Sequence, residues 1–323
     1  MARCSPARTR ASSGSAPRSA TPPWPRASTA SAWPSTPRSR PSCAGSRWKT
    51  RGWRDRAVTC AVAVILARGL GTRMRAPGAA LDARAAAIAD TGVKALIPIG
   101  RPFLDHVLHD LAEAGVREAV LVIGPEHHDL RTYYGALPTT RLRVVFAVQQ
   151  QPRGTADAVM AARDAVAGRP FLVLNSDNLY PAAALRPLAA LAGPGLVGFR
   201  RSGLLAGNIP AERVARFAAI STATDGTLAR IVEKPAEAEL AALGADPLLS
   251  MNCWAFDERI FAACAATPPS PRGELELPDA VLRSMRAGVT YHVIERGEAV
   301  LDLSSRDDIA AVRAALAGHA VHL

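Results

Sequence analysis

The sequence predicts an α/β fold: a Rossmann-like, mixed and mostly parallel sheet with helices on both faces. From residue 59 onward, short apolar runs alternate with segments whose apolar residues have helical spacing. No fixed-period repeat or long linker divides residues 57–323, so we expect them to form one domain. The predicted strands are residues 60–66, 119–123, 144–148, 171–174, 230–232 and 249–256, and helices are predicted from Pro102, over 154–167 and over 277–287.

Residues 1–56 differ in composition from the rest of the chain. The net charge is +11, and 12 of the 39 Lys and Arg but only one of the 28 acidic residues lie in this segment. The other residues carry no net charge, which excludes a basic nucleic-acid-binding face from the predicted domain. We expect a disordered, basic Arg/Ser/Pro-rich extension. The alternatives are a misassigned start and a transit peptide, although many prolines disfavour an amphipathic targeting helix.

Cysteine spacing and hydropathy limit the class of protein further. The cysteines form no Cys-x-x-Cys pair, so neither a zinc finger nor a disulfide framework is expected, and a cytoplasmic location fits best. The longest nearly apolar run, residues 57–67, is about half of the roughly 20 residues that a membrane helix needs. We therefore expect no membrane partner. The five cysteines are Cys4, Cys43, Cys60, Cys253 and Cys264.

The first predicted strand ends in a glycine-rich turn that runs from Ala67 to Arg73. Glycines let backbone N–H groups approach an anion, and Arg73 adds a permanently charged phosphate ligand. Met74 stands where a dinucleotide-binding turn needs its third glycine, and no Gly-Lys-Ser/Thr follows, so both of those motifs are excluded. The turn predicts phosphate binding, with a plain strand-to-loop turn as the alternative.

Two polar segments follow in the order expected of a nucleotide site. Lys94 precedes the helix that starts at Pro102 and can act as a mobile positive charge on a phosphoryl group. A solvated strand end is the alternative for Lys94. Gln149 can pair with a base edge, Gly154 lets a planar base approach the backbone, and Thr155 begins a helix. A polar strand end with a Pro-Gly turn is the alternative there.

Carboxylates and a Glu-Lys pair complete the set. Asp177 follows an apolar strand at the edge where α/β sheets bind ligands, and its oxygens suit Mg²⁺. An Asx turn is the alternative for Asp177, and a capping acid is the alternative for Asp302, the second candidate metal ligand. Glu233 can accept hydrogen bonds from sugar hydroxyls, and Lys234 can neutralise a phosphate. A surface turn is the alternative for this pair.

In this order the motifs resemble the sugar-phosphate nucleotidyltransferases, best known from the glucose-1-phosphate thymidylyl- and uridylyltransferases. The resemblance spans about residues 59–310 and implies a fold of the nucleotide-diphospho-sugar transferase type. It also implies transfer of a nucleoside monophosphate from an NTP to a sugar 1-phosphate, with Mg²⁺ as cofactor. The motifs are Gly-Leu-Gly-Thr-Arg73, Lys94, Gln149 with Pro152-Arg-Gly-Thr-Ala, Ser176-Asp177, Glu233-Lys234-Pro235, Arg272-Gly-Glu-Leu and Asp302.

The resemblance also implies roles for single residues. The expected nucleotide ligands are Ala67, Gly69, Gly71, Thr72, Gln149, Gly154 and Thr155; the catalytic residues are Arg73, Lys94, Asp177 and Lys234; the sugar-phosphate ligands are Glu233, Lys234, Glu274 and Asn252; and the Mg²⁺ ligands are Asp177 and Asp302. The sequence departs from the family at Arg68, where Gly or Ala is usual, and at residues 76–90, which lengthen the loop before Lys94. Residues 250–254 and 304–305 depart too, so the identity of the sugar is the least transferable property.

Two other functions stay open at this point. One is cytidylyl or guanylyl transfer to a non-sugar phosphate acceptor, although the Glu-Lys-Pro and Arg-Gly-Glu-Leu segments favour sugars. The other is a non-catalytic regulator that binds nucleotide sugars, although binding alone has little need of two metal carboxylates. The base, the sugar and the oligomeric state are not fixed by the sequence, and a homo-oligomer is one outcome.

Overall fold

The computed structural model describes Met1 and residues 60–323. The rest of the predicted extension and residues 57–59 of the predicted domain lie outside the described residues. The strands are β1 Val62–Leu66, β2 Pro98–Ile99, β3 Arg101–Pro102, β4 Glu118–Ile123, β5 Arg143–Val148, β6 Phe171–Asn175, β7 Asn178–Leu179, β8 Gly195–Arg200, β9 Ala218–Thr222, β10 Leu228–Val232, β11 Leu248–Phe256, β12 His292–Arg296 and β13 Leu301–Asp302. The helices are α1 Thr72–Arg75, α2 Ala83–Thr91, α3 Phe103–Glu113, α4 His128–Ala136, α5 Thr155–Ala161, α6 Arg163–Val166, α7 Ala182–Ala189, α8 Arg201–Leu205, α9 Ala211–Val214, α10 Glu237–Ala242, α11 Arg259–Ala265, α12 Leu277–Arg286 and α13 Asp308–Ala315, with a 3₁₀ helix at Lys94–Leu96.

The main sheet runs in the order β10-β9-β11-β6-β1-β4-β5; β8 also pairs with β11, and β12 pairs with β8. β1 pairs in parallel with β4 and β6, and β4 pairs in parallel with β5. β11 is antiparallel to β6, β8 and β9. The predicted α/β fold with a mixed sheet is therefore confirmed.

The central strand β1 shows why the sequence forms a sheet that is covered on both faces. Val62 and Val64 belong to a buried cluster that includes residues of α5 and α12. Ala63 and Ile65 point to the opposite face, because side chains alternate along a strand, and both are also fully buried. Burial of both faces explains the unbroken apolar run of β1.

The predicted elements are present with small shifts. All six predicted strands occur, as β1, β4, β5, β6, β10 and β11, and their ends differ from the prediction by at most two residues. Pro102 precedes α3 directly, and α12 matches the helix predicted over 277–287. The helix predicted over 154–167 is two helices, α5 and α6, separated at Ala162. No helix within residues 60–323 has the length and apolarity needed to cross a membrane.

The parallel strands bring several loops to one edge of the sheet. β1, β4, β5 and β6 end there, since parallel strands have their carboxyl ends on the same side. A short antiparallel ladder between β7 and β13 adds a distant segment, because it places Asp302 opposite Asn178. The Leu303 N–H donates a 2.8 Å hydrogen bond to the Asp177 carbonyl oxygen and extends this ladder.

Candidate active site

A cavity of about 280 Å³ lies at the carboxyl edge of the parallel strands. Its walls come from the segments after β1, α2, β5 and β6, together with part of β11 and the segment before α12. The fold thus brings predicted nucleotide, catalytic, metal and sugar-phosphate residues to one place. The predicted residues that line the cavity are Ala67, Gly69, Lys94, Gln149, Gly154, Thr155, Asp177, Asn252 and Glu274.

The glycine turn after β1 is held in place by close backbone packing. Gly71 has a φ of 62°, in the left-handed region, and directly precedes α1. A Cβ atom at Gly71 would lie 2.2 Å from the Gly92 carbonyl oxygen, so no other residue fits without a shift of the backbone. Gly92 follows α2 and lies two residues before Lys94. Contact between the two glycines therefore ties the turn to the segment that carries Lys94.

Lys94 reaches the cavity despite the long loop before it. Residues 76–90 are not an extended loop, because Ala83–Thr91 form α2 and the Asp82 side chain accepts a 2.8 Å hydrogen bond from the Ala85 N–H at its start. The chain then returns to the edge of the sheet at Lys94. The Lys94 Nζ lies 2.6 Å from Asp177 Oδ2, and both side chains are mostly shielded from solvent. The inserted helix thus leaves the predicted catalytic lysine beside a predicted metal ligand.

Asp302 is buried directly behind the cavity and does not line it. Only 3% of the residue is exposed. Its carboxylate accepts hydrogen bonds from Asn178 Nδ2 at 3.1 Å, Ser304 Oγ at 2.8 Å and Arg213 Nη1 at 2.6 Å. Burial and the nearby negative charge of Asp177 raise the pKa of Asp302. The two carboxylates are therefore close enough to repel each other, although 125 positions separate them in the sequence.

The pair Asp177 and Asp302 fits a magnesium ion in its chemistry. Mg²⁺ prefers oxygen ligands and is commonly bound by one or two carboxylates together with substrate phosphates. Two adjacent carboxylates that repel each other are stabilised by a divalent cation, and Asp177 faces the cavity that phosphates would enter. These two residues would hold the ion that the family resemblance implies.

Gln149 is oriented by the protein and not by solvent. It is 4% exposed, and its Nε2 donates to the Gly154 carbonyl oxygen at 3.1 Å and to Asp157 Oδ2 at 2.8 Å. Both partners can only accept, so the orientation of the amide is fixed and both of its hydrogens are used. Only the carbonyl oxygen Oε1 of Gln149 is left to pair with a ligand.

The segment around Gly154 is attached to the segment that carries Glu274. Gly154 has a φ of 115°, and a Cβ there would lie 2.6 Å from both the N and O atoms of Leu275. The Ala156 N–H donates to the Leu275 carbonyl at 2.8 Å, and the Leu277 N–H donates to Thr155 Oγ1 at 2.9 Å. Thr155 therefore lines the cavity with its hydroxyl oxygen already accepting a hydrogen bond. Glu274 reaches the cavity because this contact positions its backbone.

Asn252 owes its place to an irregularity in a strand. The pairing of β11 with β8 shifts register between Ser250 and Trp254, and Asn252 has a φ of 57°. A bulge of this kind changes the direction in which a side chain points, compared with the regular alternation of side chains along a strand. Asn252 lines the cavity at this point, and its Oδ1 accepts a 3.4 Å hydrogen bond from Trp254 Nε1.

Several predicted residues lie outside the cavity. Gly71 and α1, which includes Thr72 and Arg73, follow the part of the turn that lines it, and the side chains of Thr72 and Arg73 are exposed. Glu233 and Lys234 are exposed after β10, and Lys234 has a φ of 46°. Although much of Glu233 is exposed, partial desolvation of its carboxylate and the negative charge of Glu276 raise its pKa. Glu233 therefore lies beside the segment that carries Glu274. Of the charged residues predicted for the site, Lys94, Asp177 and Glu274 line the cavity and Asp302 lies directly behind it, whereas Arg73, Glu233 and Lys234 do not line it.

Arg68 is a cavity residue to which the sequence assigned no role. Its side chain is 8% exposed, and Nε and Nη2 donate to Glu126 at 3.2 and 3.3 Å. Its buried Nη1 has no hydrogen-bond partner among the described residues. A buried guanidinium N–H without an acceptor at a cavity wall is free to bind an oxygen of a ligand. The signal was the basic residue within the glycine turn, at a position where the family usually has Gly or Ala.

Arg213 was not predicted as part of the site. Its Nη1 bridges Asp302 and Asp308, at 2.6 Å from Asp302 Oδ2 and 3.1 Å from Asp308 Oδ1. Asp308 also accepts the backbone N–H groups of Ser304 and Ser305 at 3.0 and 2.7 Å. No local pattern could have revealed this contact, because Arg213 lies in a four-residue helix 89 positions before Asp302.

Residues 62–318 match the family model described as nucleotidyl transferase. The chain belongs to this family. Agl11 of Haloferax volcanii, a low-salt glycan biosynthesis nucleotidyltransferase, is 27% identical over 72% of this chain and 60% of its own length. AglF of the same organism, a UTP–glucose-1-phosphate uridylyltransferase, is 25% identical over 76% of this chain and 92% of its own length. A glucose-1-phosphate thymidylyltransferase of Streptomyces griseus is 28% identical over 70% and 58%.

A solved structure supports the fold of this nucleotidyltransferase chain. The crystal structure of a UDP-glucose pyrophosphorylase complexed with UDP-glucose covers 80% of this chain and 99% of its own, with a TM-score of 0.59 and 18% identity. The predicted fold type and the resemblance to sugar-phosphate nucleotidyltransferases are therefore confirmed. The chain spans only 60% of the length of Agl11 and about half of the length of a bifunctional protein GlmU from Methanococcus vannielii.

Proposed function

We propose that the protein transfers a nucleoside monophosphate from an NTP to a sugar 1-phosphate, giving an NDP-sugar and pyrophosphate. The observation that carries the proposal is the cavity in which the glycine turn, Lys94 and Asp177 meet in front of Asp302. Relatives named as glucose-1-phosphate uridylyl- and thymidylyltransferases support it.

The reaction is an in-line displacement at the α-phosphorus of the NTP. A phosphate oxygen of the sugar 1-phosphate forms the new bond to phosphorus, the bond to the bridging oxygen of the β-phosphate breaks, and pyrophosphate leaves with the electron pair. Both substrates are anions, so the protein must align them and neutralise their charge; it needs no covalent nucleophile.

The chain's residues divide this work by position. Backbone N–H groups of the turn at Gly69 and Gly71 bind the triphosphate, while Lys94 donates from Nζ to a phosphate oxygen. Mg²⁺ held by Asp177 and Asp302 would neutralise phosphate charge when bound. Glu274 and Asn252 bind the sugar.

The exposed charged residues act at the rim of the site. Thr72 and Arg73 of α1 contact the leaving pyrophosphate, because they follow the part of the turn that lines the cavity. Lys234 and Glu233 contact the sugar phosphate, because Glu233 lies beside the segment that carries Glu274. Arg73 and Lys234 turn toward the substrates when these bind, since phosphate attracts exposed cations strongly.

The orientation of Gln149 determines which group it can offer to a base. With both amide hydrogens used by Gly154 and Asp157, Gln149 offers only its Oε1 to a ligand. The N3–H of uracil or thymine is a matching donor, but the amino groups of the other bases can also donate to this oxygen. The choice of base therefore rests on the relatives named as uridylyl- and thymidylyltransferases. We therefore propose UTP or dTTP as the nucleotide and a hexose 1-phosphate as the acceptor.

Location and assembly stay predictions. Cys60, Cys253 and Cys264 are free and buried, which suits the reducing cytoplasm that the sequence predicts. A homo-oligomer stays one possible state in solution.

The test is a matrix of NTPs against sugar 1-phosphates, read by pyrophosphate release in Mg²⁺ buffer. UTP or dTTP with a hexose 1-phosphate should give the highest kcat/KM.

Variants test the assigned residues in the same assay. Asp177→Asn should lower kcat at least about 10²-fold, since a charge that stabilises the transition state is lost. Asp129→Asn, which replaces an exposed aspartate on α4, should leave kcat nearly unchanged. Lys234→Ala should raise the KM for the sugar phosphate. Nucleotide-sugar binding without pyrophosphate release from any pair would instead identify a regulator and refute the proposal.

A further inference from the structure

Four of the seven histidines gather at one place away from the cavity. His106 and His109 lie on α3, and His319 and His322 lie on the segment after α13, residues 316–323, called here the tail segment. The His319 ring centroid is 5.3 Å from that of His106 and 5.2 Å from that of His109, and His322 is 5.9 Å from His109. Imidazole rings therefore contribute to the contact between the tail segment and α3.

Three side chains in this group have the arrangement of metal ligands. His109, Asp110 and His319 each offer one ligand atom, and these atoms all lie within 4.8 Å of one another. His109 is buried and His319 is partly exposed, so an ion could enter from solvent while its far side is shielded. Two imidazole nitrogens and one carboxylate oxygen are a common ligand set of divalent transition metals in proteins.

The hydrogen bonds of the cluster leave a nitrogen of His319 available. The Ile99 carbonyl can only accept, so His106 Nε2 donates to it at 3.2 Å and the Nδ1 of neutral His106 is an acceptor. His319 Nδ1 lies 3.1 Å from His106 Nδ1 and must then be the donor. In neutral His319 the lone pair is on Nε2. A metal-binding histidine is typically held this way, with one ring N–H donated to the protein and the other nitrogen on the ion.

His109 can also donate from Nδ1 to the protein and leave its Nε2 free for an ion. Its Nδ1 lies 3.2 Å from the His322 carbonyl oxygen and also 3.2 Å from the His322 backbone nitrogen. When Nδ1–H donates to the carbonyl, the Nε2 lone pair is available to an ion. Metal binding would select this tautomer, and the backbone carbonyl would serve as the outer partner.

We propose that His109, Asp110 and His319 bind one divalent transition-metal ion, Zn²⁺ being the best fit, which fastens the tail segment to α3. Zn²⁺ is stable with mixed imidazole and carboxylate ligands and needs no redox partner. Mg²⁺ is disfavoured here, because it prefers an all-oxygen ligand set. A water molecule would complete the tetrahedral set. This site is independent of the proposed transferase reaction, since none of its three residues lines the cavity.

The test is calorimetric titration of the untagged full chain with ZnCl₂ in excess Mg²⁺, which keeps the carboxylates of the cavity occupied. The wild-type chain and His128→Ala, which removes an exposed histidine on α4, should each bind one Zn²⁺ per chain with equal affinity. His319→Ala should weaken that affinity by about 100-fold or more, and Asp110→Asn by about tenfold or more. Because Asp110→Asn keeps the shape of the side chain, it serves if His319→Ala fails to fold.

Hydrogen exchange of the tail segment provides the second measurement. Zn²⁺ should slow exchange of the amides of residues 316–323 in the wild-type chain and leave them unchanged in His319→Ala. Equal Zn²⁺ affinity in the wild-type, His319→Ala and Asp110→Asn chains, or no binding to any chain, would overturn the metal site. Binding with unaltered exchange of the tail segment would overturn the fastening role.

Discussion

Replacement of Arg213 by methionine probes the buried charges behind the proposed metal site. Arg213 Nη1 lies 2.6 Å from Asp302 Oδ2 and 3.1 Å from Asp308 Oδ1, and the side chains are 19%, 5% and 5% exposed, respectively. Methionine keeps the length and the apolar contacts of the arginine stem but removes the cation. Asp302 and Asp308 would then be two buried negative charges without the cation that pairs with them.

The expected loss of stability follows from what each carboxylate retains. Removing one partner of a buried ion pair costs about 3–5 kcal/mol, because the remaining charge is left without compensation. Asp302 keeps hydrogen bonds from Asn178 and Ser304, and Asp308 keeps those from the Ser304 and Ser305 backbones. These contacts offset part of the loss, so we expect the lower end of that range, about 3 kcal/mol.

Urea unfolding at neutral pH, followed by circular dichroism, measures this difference directly. Arg216→Met is the matched control, because Arg216 is exposed and lies three positions further along; its change should stay within about 0.5 kcal/mol. Mg²⁺ should stabilise Arg213→Met more than the wild-type chain, since the ion replaces a lost positive charge next to Asp302. Equal stability of Arg213→Met and Arg216→Met would refute the view that Arg213 balances the two carboxylates.

Two further substitutions test how the cavity walls are held. Gly71→Ala should lower the free energy of unfolding by at least about 1–2 kcal/mol, because the residue has a left-handed backbone conformation and its Cβ would lie 2.2 Å from the Gly92 oxygen. Gly69→Ala is the control: its Cβ would meet nothing within 4 Å, so its free energy of unfolding should change by no more than about 0.5 kcal/mol. Equal losses in chemical denaturation would contradict this explanation. Asp157→Ala should raise the KM for the NTP about tenfold in steady-state assays with the KM for the sugar phosphate unchanged, since Gln149 loses the acceptor that orients its amide, and an unchanged KM for the NTP would show that Asp157 does not position Gln149.

The position of a motif in the fold could be predicted from the sequence where the motif follows a continuous apolar strand. β1 and β6 are continuous apolar runs that a sheet buried on both faces requires, so the glycine turn and Asp177 could be assigned to strand ends from the residues alone. Lys94 was harder, because its distance from the turn exceeds the family pattern. Only the fold of α2 and the packing of Gly71 on Gly92 explain its return to the cavity.

Other parts of the site depend on contacts that leave no local pattern. β7 and β13 are two residues long, so no apolar alternation predicts the ladder that brings Asp302 to Asn178. The bulge that turns Asn252 into the cavity is likewise invisible in its own residues. β8, β9 and β12 were not predicted, since glycine, small or charged residues interrupt their apolar runs.

The charges of the cavity imply that the substrates must bring a cation with them. The cavity wall contains one lysine and one arginine, and each already forms an ion pair within the protein: Lys94 with Asp177 and Arg68 with Glu126. An NTP and a sugar 1-phosphate together add several negative charges to a wall that also includes Glu274. Repulsion of that size is not relieved by Lys94, which also faces Asp177, and one free N–H of Arg68, so we propose that binding uses a divalent ion together with the exposed cations at the rim. We therefore expect chelation of divalent metal to raise the Kd of the NTP, and not only to lower kcat, whereas an unchanged Kd in equilibrium dialysis would show that the cavity balances the phosphates with its own side chains.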